Sequence, residues 1–187
     1  YKHKPSLLHI GTLVTAIEPG ASILFDWALQ VSELAPIIFD PNIRPAVIPD
    51  RDKYRAQVEK WIGISSVVKV SEDDIAWLYP GQDDIELAQK WVSEGVSVVV
   101  ITRGADGIEG ITSYGIVRVP GVKVDVVDTI GAGDTVGAVI AEAVKEIGLD
   151  ELHDGALIVT LEKAARAAAL TCARKGAQPP TSKELNG

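Results

Sequence analysis

At 187 residues the chain is long enough for one domain with a sizeable core, and 47% hydrophobic with 24% charged residues is ordinary for a globular protein. A net charge of −8 argues against a nucleic-acid-binding surface, while leaving room for local positive charge at an anion site. The single cysteine, Cys172, excludes an internal disulfide framework and suits a reducing compartment; no apolar run reaches the roughly 18 residues of a membrane span.

Strand and helix patterns alternate along the chain. Leu7 to Leu13 reads as a buried strand, and Pro19 then precedes an amphipathic run from Ala21 to Leu34. Pro36 to Phe39 is a short apolar strand ending in Asp40, and Pro49-Asp50 opens a helix carrying Tyr54, Val58 and Trp61 on one side. Val67 to Val70 is the next strand. Ser71 is the expected N-cap of the helix after it, with Ser71-x-x-Asp74 in the form of a capping box. Ile85 to Ser93 reads as a helix, and Val96 to Thr102 is a β-branched run typical of a strand buried on both faces. Ile108 to Val119 and Val122 to Val127 read as shorter strands, with turns at Tyr114-Gly115 and Pro120-Gly121. Helices are expected over Gly133 to Ile147 and Ala156 to Lys175.

This alternation predicts an α/β fold with a doubly wound, mostly parallel sheet and helices on both faces, in a single domain over residues 1–187. Ligands of such sheets bind beyond the carboxyl ends of the strands. The segments at Asp40, Ser71, Gly104 and Asp128 are each expected just after a strand.

The most loaded of these segments is Asp128-Thr129-Ile130-Gly131-Ala132-Gly133-Asp134-Thr135, at the start of an apolar helix. Free N–H groups and the helix dipole favour an anion there, and Gly131 and Gly133 allow close backbone approach. Asp134 would repel a bound phosphate unless it takes a proton from the group attacking that phosphate. The residues therefore suggest phosphoryl transfer to a hydroxyl. The plain alternative is a glycine-rich turn with an Asp near the helix start. No P-loop string occurs, and a dinucleotide fingerprint starting at Gly131 fails at Val136.

Asp128 to Asp134 resembles the D-T-x-G-A-G-D signature of the ribokinase-like sugar kinases, the phosphofructokinase-B family. Asp40-Pro41-Asn42-Ile43-Arg44-Pro45 is similar to the D-P-N-x-R-P segment of the fructokinase branch, and Lys69-Val70-Ser71-Glu72 to its K-V-S-E. Thr102-Arg103-Gly104-Ala105-Asp106-Gly107 resembles the T-x-G-x-x-G nucleotide loop, and Thr171 to Thr181 a fructokinase C-terminus. The chain contains no Met and opens beside a strand pattern. Set against the family it is expected to be the C-terminal larger part, without the N-terminal portion that carries most sugar contacts and the lid.

The resemblance implies roles for individual residues. Asp134 would be the general base, with the N–H groups of Ala132, Gly133 and Asp134 holding developing charge after the Gly131 turn. Arg44 would grip phosphate oxygens, as guanidinium geometry allows; the bland reading is an Asx turn with a surface Arg. Lys69, Ser71, Thr102, Gly104, Gly107 and Gly133 would belong to the nucleotide site, although the loop glycines Gly104 and Gly107 also suit any tight loop. Asp74, or Glu72 in its place, would help place Mg²⁺ through waters, with helix capping as the alternative. Asp128 and Thr129 lie where family members can bind a monovalent cation such as K⁺. His3, His9 and His153 show no metal-ligand spacing, and Trp27, Trp61, Trp77 and Trp91 read as packing residues. Cys172, in an alanine-rich helical run, reads as a buried structural thiol.

The expectation is thus a cytoplasmic, ATP- and Mg²⁺-dependent sugar kinase, fructose being the leading acceptor. Its partners would be a small sugar and ATP, with no nucleic acid or membrane, and a homodimer as an option. Kinases of 2-keto-3-deoxygluconate, ribose or a nucleoside are same-class alternatives. A non-catalytic binding or regulatory protein is the alternative of another class.

Overall fold

The computed structural model describes residues 4–186, so His3 lies outside the described residues. Six strands form one sheet in the order β1 (Leu8–Gly11), β2 (Ile37–Asp40), β3 (Val67–Ser71), β4 (Val98–Thr102), β5 (Gly107–Thr112), β6 (Gly115–Pro120). Among the described residues, seven α-helices accompany them: α1 (Gly20–Ser32), α2 (Arg51–Ile62), α3 (Glu72–Leu78), α4 (Asp84–Ser93), α5 (Ala132–Ile147), α6 (Asp154–Cys172) and α7 (Ser182–Asn186). β1 and β2 pair in parallel with Leu8 opposite Ile37 and Gly11 opposite Asp40, and β2 pairs β3 in parallel with Phe39 opposite Val68. The fold is the expected α/β arrangement with a mostly parallel sheet. Contacts divide the chain into two compact units, Tyr1–Ile101 with Ile111–Ser113, and Thr102–Gly110 with Tyr114–Gly187.

In the first unit every residue of β2 is buried, as are Val67 to Val70 of β3 and Val98 to Ile101 of β4. Continuous apolar runs of this kind form strands that are covered on both faces, each buried Val or Ile contributing about 1.5–3 kcal/mol. α2 begins where Asp50 caps it, its carboxylate accepting the Lys53 N–H at 3.1 Å. Its buried stripe is Tyr54, Val58, Trp61 and Ile62, the helical spacing read from sequence. Trp61 stands edge-on to Phe25 and stacks on Phe39, and its indole N–H donates to the Thr15 carbonyl at 3.0 Å. Trp91 is likewise buried, but Trp27 is 39% exposed on α1. Trp27, read from sequence as a core or packing residue, sits at the boundary of the buried face marked by Ala21, Phe25 and Ala28.

In the second unit α5 and α6 pack together, and α6 also packs on β6. Gly110, on β5, leaves room for α6, because a Cβ there would fall 2.9 Å from both Leu157 and Leu161 side chains. Val122 to Val127 is not a strand. Val122, Val126 and Val127 are exposed, and the end of the segment is held where the Val127 and Asp128 N–H groups donate to the Cys172 carbonyl. β-branched residues favour extended backbone, but a strand also needs a neighbouring ladder to hydrogen-bond. Asp128 therefore follows an irregular segment, whereas Asp40 and Ser71 end β2 and β3 and Gly104 lies one residue beyond the end of β4, after Arg103.

Candidate functional site

The start of α5 is the centre of the second unit's chemistry. Gly131 has φ +83°, in the left-handed region, and forms the N-cap of α5. A Cβ there would lie 2.8 Å from the Ala177 Cβ, so both conformation and space demand glycine. Its carbonyl accepts the Thr135 N–H at 2.9 Å and the Thr135 hydroxyl at 2.8 Å. The Thr135 and Thr171 hydroxyls meet at 3.0 Å, and Thr171 reaches the Ala167 carbonyl at 3.0 Å. These buried hydroxyls pin the first turn of α5 to α6. No local pattern in the sequence marks the bond between Thr135 and Thr171; only the pairing of the two helices reveals it.

Of the three N–H groups expected to hold an anion, that of Ala132 donates to the Thr129 carbonyl at 3.3 Å. Those of Gly133 and Asp134 have no acceptor among the described residues. The Asp134 side chain is exposed in the first turn of α5 and has no partner among the described residues. Two donors and one unengaged carboxylate thus share the positive end of a 16-residue helix.

Asp128 is fully engaged by its own fold. One carboxylate oxygen accepts the Ile130 N–H at 3.0 Å and the other the Gly176 N–H at 2.9 Å. These two bonds hold its carboxyl below the ordinary value of 3.8. Thr129 is exposed. Cys172 is half-buried, and burial, with the Asp128 charge second, pushes its thiol up, away from a reactive thiolate. His153 stacks on Tyr114 and lies 3.1 Å from Asp154.

The loop from Thr102 to Gly107 belongs to the same unit. The Arg103 N–H donates to the Gly107 carbonyl at 2.9 Å around a single 3₁₀ turn, Gly104–Asp106. Arg103 and Arg118 both pair with Glu109. Gly107 has φ +116°, and a Cβ there would lie 2.1 Å from the Val119 carbonyl oxygen. That glycine is required by the packing of the chain on itself, whatever else the loop does.

In the first unit Asp40 and Lys69 form a buried ion pair at 2.8 Å, each side chain 6% exposed. Lys69 is thereby turned toward β2, and the second Asp40 oxygen, Oδ1, is buried without a partner among the described residues. Arg44 is exposed and folds back on its own loop, donating to the Ile43 carbonyl at 3.0 Å and to the Asn42 side chain and carbonyl. Asn42, at φ +42°, supplies the turn. Ser71 caps α3 as expected, its hydroxyl accepting the Asp74 N–H at 3.1 Å. Asp74 departs from the capping box. Its Oδ1 accepts the Ile43 N–H at 3.0 Å, 31 positions away. Burial pushes its carboxyl up, and the Ser71 and Ile43 hydrogen bonds oppose that rise.

Glu72 and Asp74, expected to meet Mg²⁺, lie in the first unit, and Asp128 and Thr129, expected to meet a monovalent cation, lie in the second. Among the described residues no three His, Cys, Asp or Glu side chains come together as metal ligands. A Mg²⁺ that arrives on ATP and keeps its waters needs only one or two protein carboxylates, so this donor set fits an ATP-borne ion and not a resident one. No helix among the described residues is long and apolar enough to cross a membrane.

Known proteins resemble this arrangement along nearly its whole length. The model of the pfkB family carbohydrate kinases matches residues 4–184. A fructokinase from Rhizobium leguminosarum bv. trifolii is 39% identical over 129 residues, which is 69% of this chain and 39% of that protein. A fructokinase variant from Vibrio cholerae O395, solved with fructose, ADP and potassium ion, superposes with TM-score 0.83 at 29% identity over 98% of this chain and 60% of its own. Aminoimidazole riboside kinase from Salmonella enterica, solved with aminoimidazole riboside and an ATP analog, gives TM-score 0.83 at 22% identity over 97% of this chain and 63% of its own, a likeness of fold alone. The chain spans about half the length of the curated relatives it matches. A match to the family model over residues 4–184, on a sheet and helix start of this form, makes the chain a member of the pfkB family of carbohydrate kinases.

Proposed function

We propose that the protein to which this chain belongs transfers the γ-phosphate of ATP to a sugar hydroxyl, with fructose as acceptor and fructose 6-phosphate as product. The observation that carries the reading is the start of α5, where the Gly133 and Asp134 N–H groups and the Asp134 carboxylate stand without partners among the described residues. An acid at a helix start also suits the helix dipole; what supports the kinase reading is its place beside two open N–H donors that follow the left-handed Gly131 turn.

In this reading the sugar oxygen bonds the γ-phosphorus as the bond to the β–γ bridging oxygen breaks. ADP leaves with that electron pair, and the hydroxyl proton passes to Asp134. An ordinary Asp is a weak base, so its contribution is position, with the proton moving late. The Gly133 and Asp134 N–H groups hold developing negative charge. Arg44, unburied and charged, grips phosphate oxygens. Lys69, Ser71, Thr102, Gly104 and Gly107 shape the nucleotide's surroundings, Lys69 from within its ion pair with Asp40. Bound Mg²⁺ supplies counter-charge to the phosphates, with Glu72 and Asp74 assigned to the segment that meets its waters. Asp128 and Thr129 keep the assignment to a monovalent cation, through backbone carbonyls, since the Asp128 carboxylate is committed to N–H groups. The names of the relatives and the Asp40 to Pro45 segment support fructose. A cytoplasmic location is part of the same reading.

The test is turnover of ATP·Mg by the full-length protein across fructose, ribose, 2-keto-3-deoxygluconate and adenosine, with Asp134→Asn as control. The expected result is turnover of fructose, reduced about 10²- to 10⁴-fold in the variant with nucleotide affinity kept. Comparable turnover in Asp134→Asn refutes the base, and turnover of another acceptor alone refutes fructose.

A further inference from the structure

The helix that carries Asp134 has little of its own to hold its first turn. The N–H groups there have no partner earlier in the helix, which leaves them open to a ligand and also lets such a turn fray. Ala132 and Gly133 bring almost no side chain, and Asp134 is exposed. Thr135 is the first buried side chain of α5. Its N–H starts the helical ladder by donating to the Gly131 carbonyl at 2.9 Å, and its hydroxyl gives its one proton to the same carbonyl at 2.8 Å. In the 3.0 Å contact between the two hydroxyls Thr171 is then the donor, with the Ala167 carbonyl, also at 3.0 Å, sharing that proton.

Thr171 is 0% exposed and Thr135 6%. A buried threonine inside a helix can satisfy itself on the carbonyl four residues back, and Ala167 offers that. Thr171 does more, because its hydroxyl also meets the first buried side chain of the neighbouring helix. Its methyl carbon faces the other end of the same turn, where a Cβ on Gly131 would come within 3.8 Å of it. The end of α6 therefore lies against both Gly131 and Thr135, the residues that bracket the open N–H groups.

We propose that Thr171 is a positioning residue for phosphoryl transfer: its hydroxyl, through Thr135, fixes the first turn of α5 and so sets where the Gly133 and Asp134 N–H groups and the Asp134 carboxylate stand. What Thr171 does for catalysis rests on the kinase reading above, and its hold on the turn on the hydrogen bonds alone.

The full-length protein carrying Thr171→Val, Thr171→Ser, Thr135→Val and the Thr135→Val/Thr171→Val pair tests this, by steady-state kinetics with ATP·Mg at matched folded fraction and by amide hydrogen exchange at Thr135. Valine keeps the shape and removes the hydroxyl. Thr171→Val is expected to speed exchange at Thr135 and to lower kcat about tenfold, short of the roughly hundredfold of an ångström misplacement, with the KM for ATP near wild type. Thr171→Ser, which keeps the hydroxyl, is expected to recover most of that loss. The pair should be no slower than Thr135→Val alone, since both changes remove one function. A hydroxyl serving only the packing of α6 would leave kcat per folded molecule unchanged, whatever it did to stability. The proposal is overturned if kcat of Thr171→Val stays within about twofold of wild type, if exchange at Thr135 is unaltered, if Thr171→Ser is as slow as Thr171→Val, or if the two changes multiply. Should Thr171→Val not fold, kcat and KM of Thr135→Val are read by the same criteria, with Thr135→Ser as the variant that keeps the hydroxyl. Wild-type protein that turns over no acceptor refutes the kinase reading separately, while exchange at Thr135 still decides whether Thr171 holds the turn.

Discussion

Asp128 and Gly176 are 48 positions apart in the chain, and the Asp128 carboxylate accepts the Gly176 N–H at 2.9 Å. The other oxygen takes the Ile130 N–H at 3.0 Å, so one side chain ties the segment before α5 to the chain beyond α6. Both bonds favour the charged carboxylate and hold it below 3.8. A carboxyl lowered in the folded state stabilises the fold above its ordinary value and loses that contribution as pH falls through the lowered value. Thermal unfolding of wild type and Asp128→Asn should therefore differ most at pH 6, with the gap closing below about pH 4. A gap that does not change with pH would assign the effect to shape and not to charge.

Gly131→Ala should destabilise the protein by about 1–3 kcal/mol, from the left-handed conformation and the clash with Ala177 together. The same change would displace the N–H groups that follow it. Urea denaturation measures the first effect; nucleotide affinity at matched folded fraction measures the second. Wild-type stability in this variant would contradict the φ of +83°.

The Asp40–Lys69 pair makes a prediction of the opposite kind to a surface bridge. Replacing Lys69 by Met leaves a buried carboxylate with neither oxygen paired, at a cost of about 3–5 kcal/mol. Adding Asp40→Asn removes the stranded charge and should restore a substantial part of that loss. Chemical denaturation of the two singles and the double measures the coupling; equal losses in Lys69→Met and the double variant would show that the charge is not what Lys69 serves.

Tyr54→Phe removes a buried hydroxyl that has no partner among the described residues. Stability is expected to be unchanged or to rise, within about 1 kcal/mol, because no hydrogen bond is lost and a desolvated polar group is. A loss larger than that in denaturant unfolding would reveal a partner for the hydroxyl.

Much of this protein was legible in the residues, and the legible part is local. Asp50 and Ser71 were readable as helix starts because a cap bonds a backbone group three positions on, a relation written in the sequence. The buried stripe of α2 and the β-branched run of β4 follow from period and composition in the same way. The glycine turn and helix start within the Asp128 to Asp134 segment were readable, since glycine conformation and free helix N–H groups depend on neighbours a few residues away. What only the tertiary structure decided are relations across long separations. It turned Lys69 onto Asp40, directed Asp74 to Ile43, engaged both Asp128 oxygens, and joined Thr135 to Thr171. It also left Val122 to Val127 without a ladder and Trp27 partly in solvent. Propensity states what a residue favours by itself, whereas a strand or a buried polar contact exists only when a partner from elsewhere in the chain arrives in register.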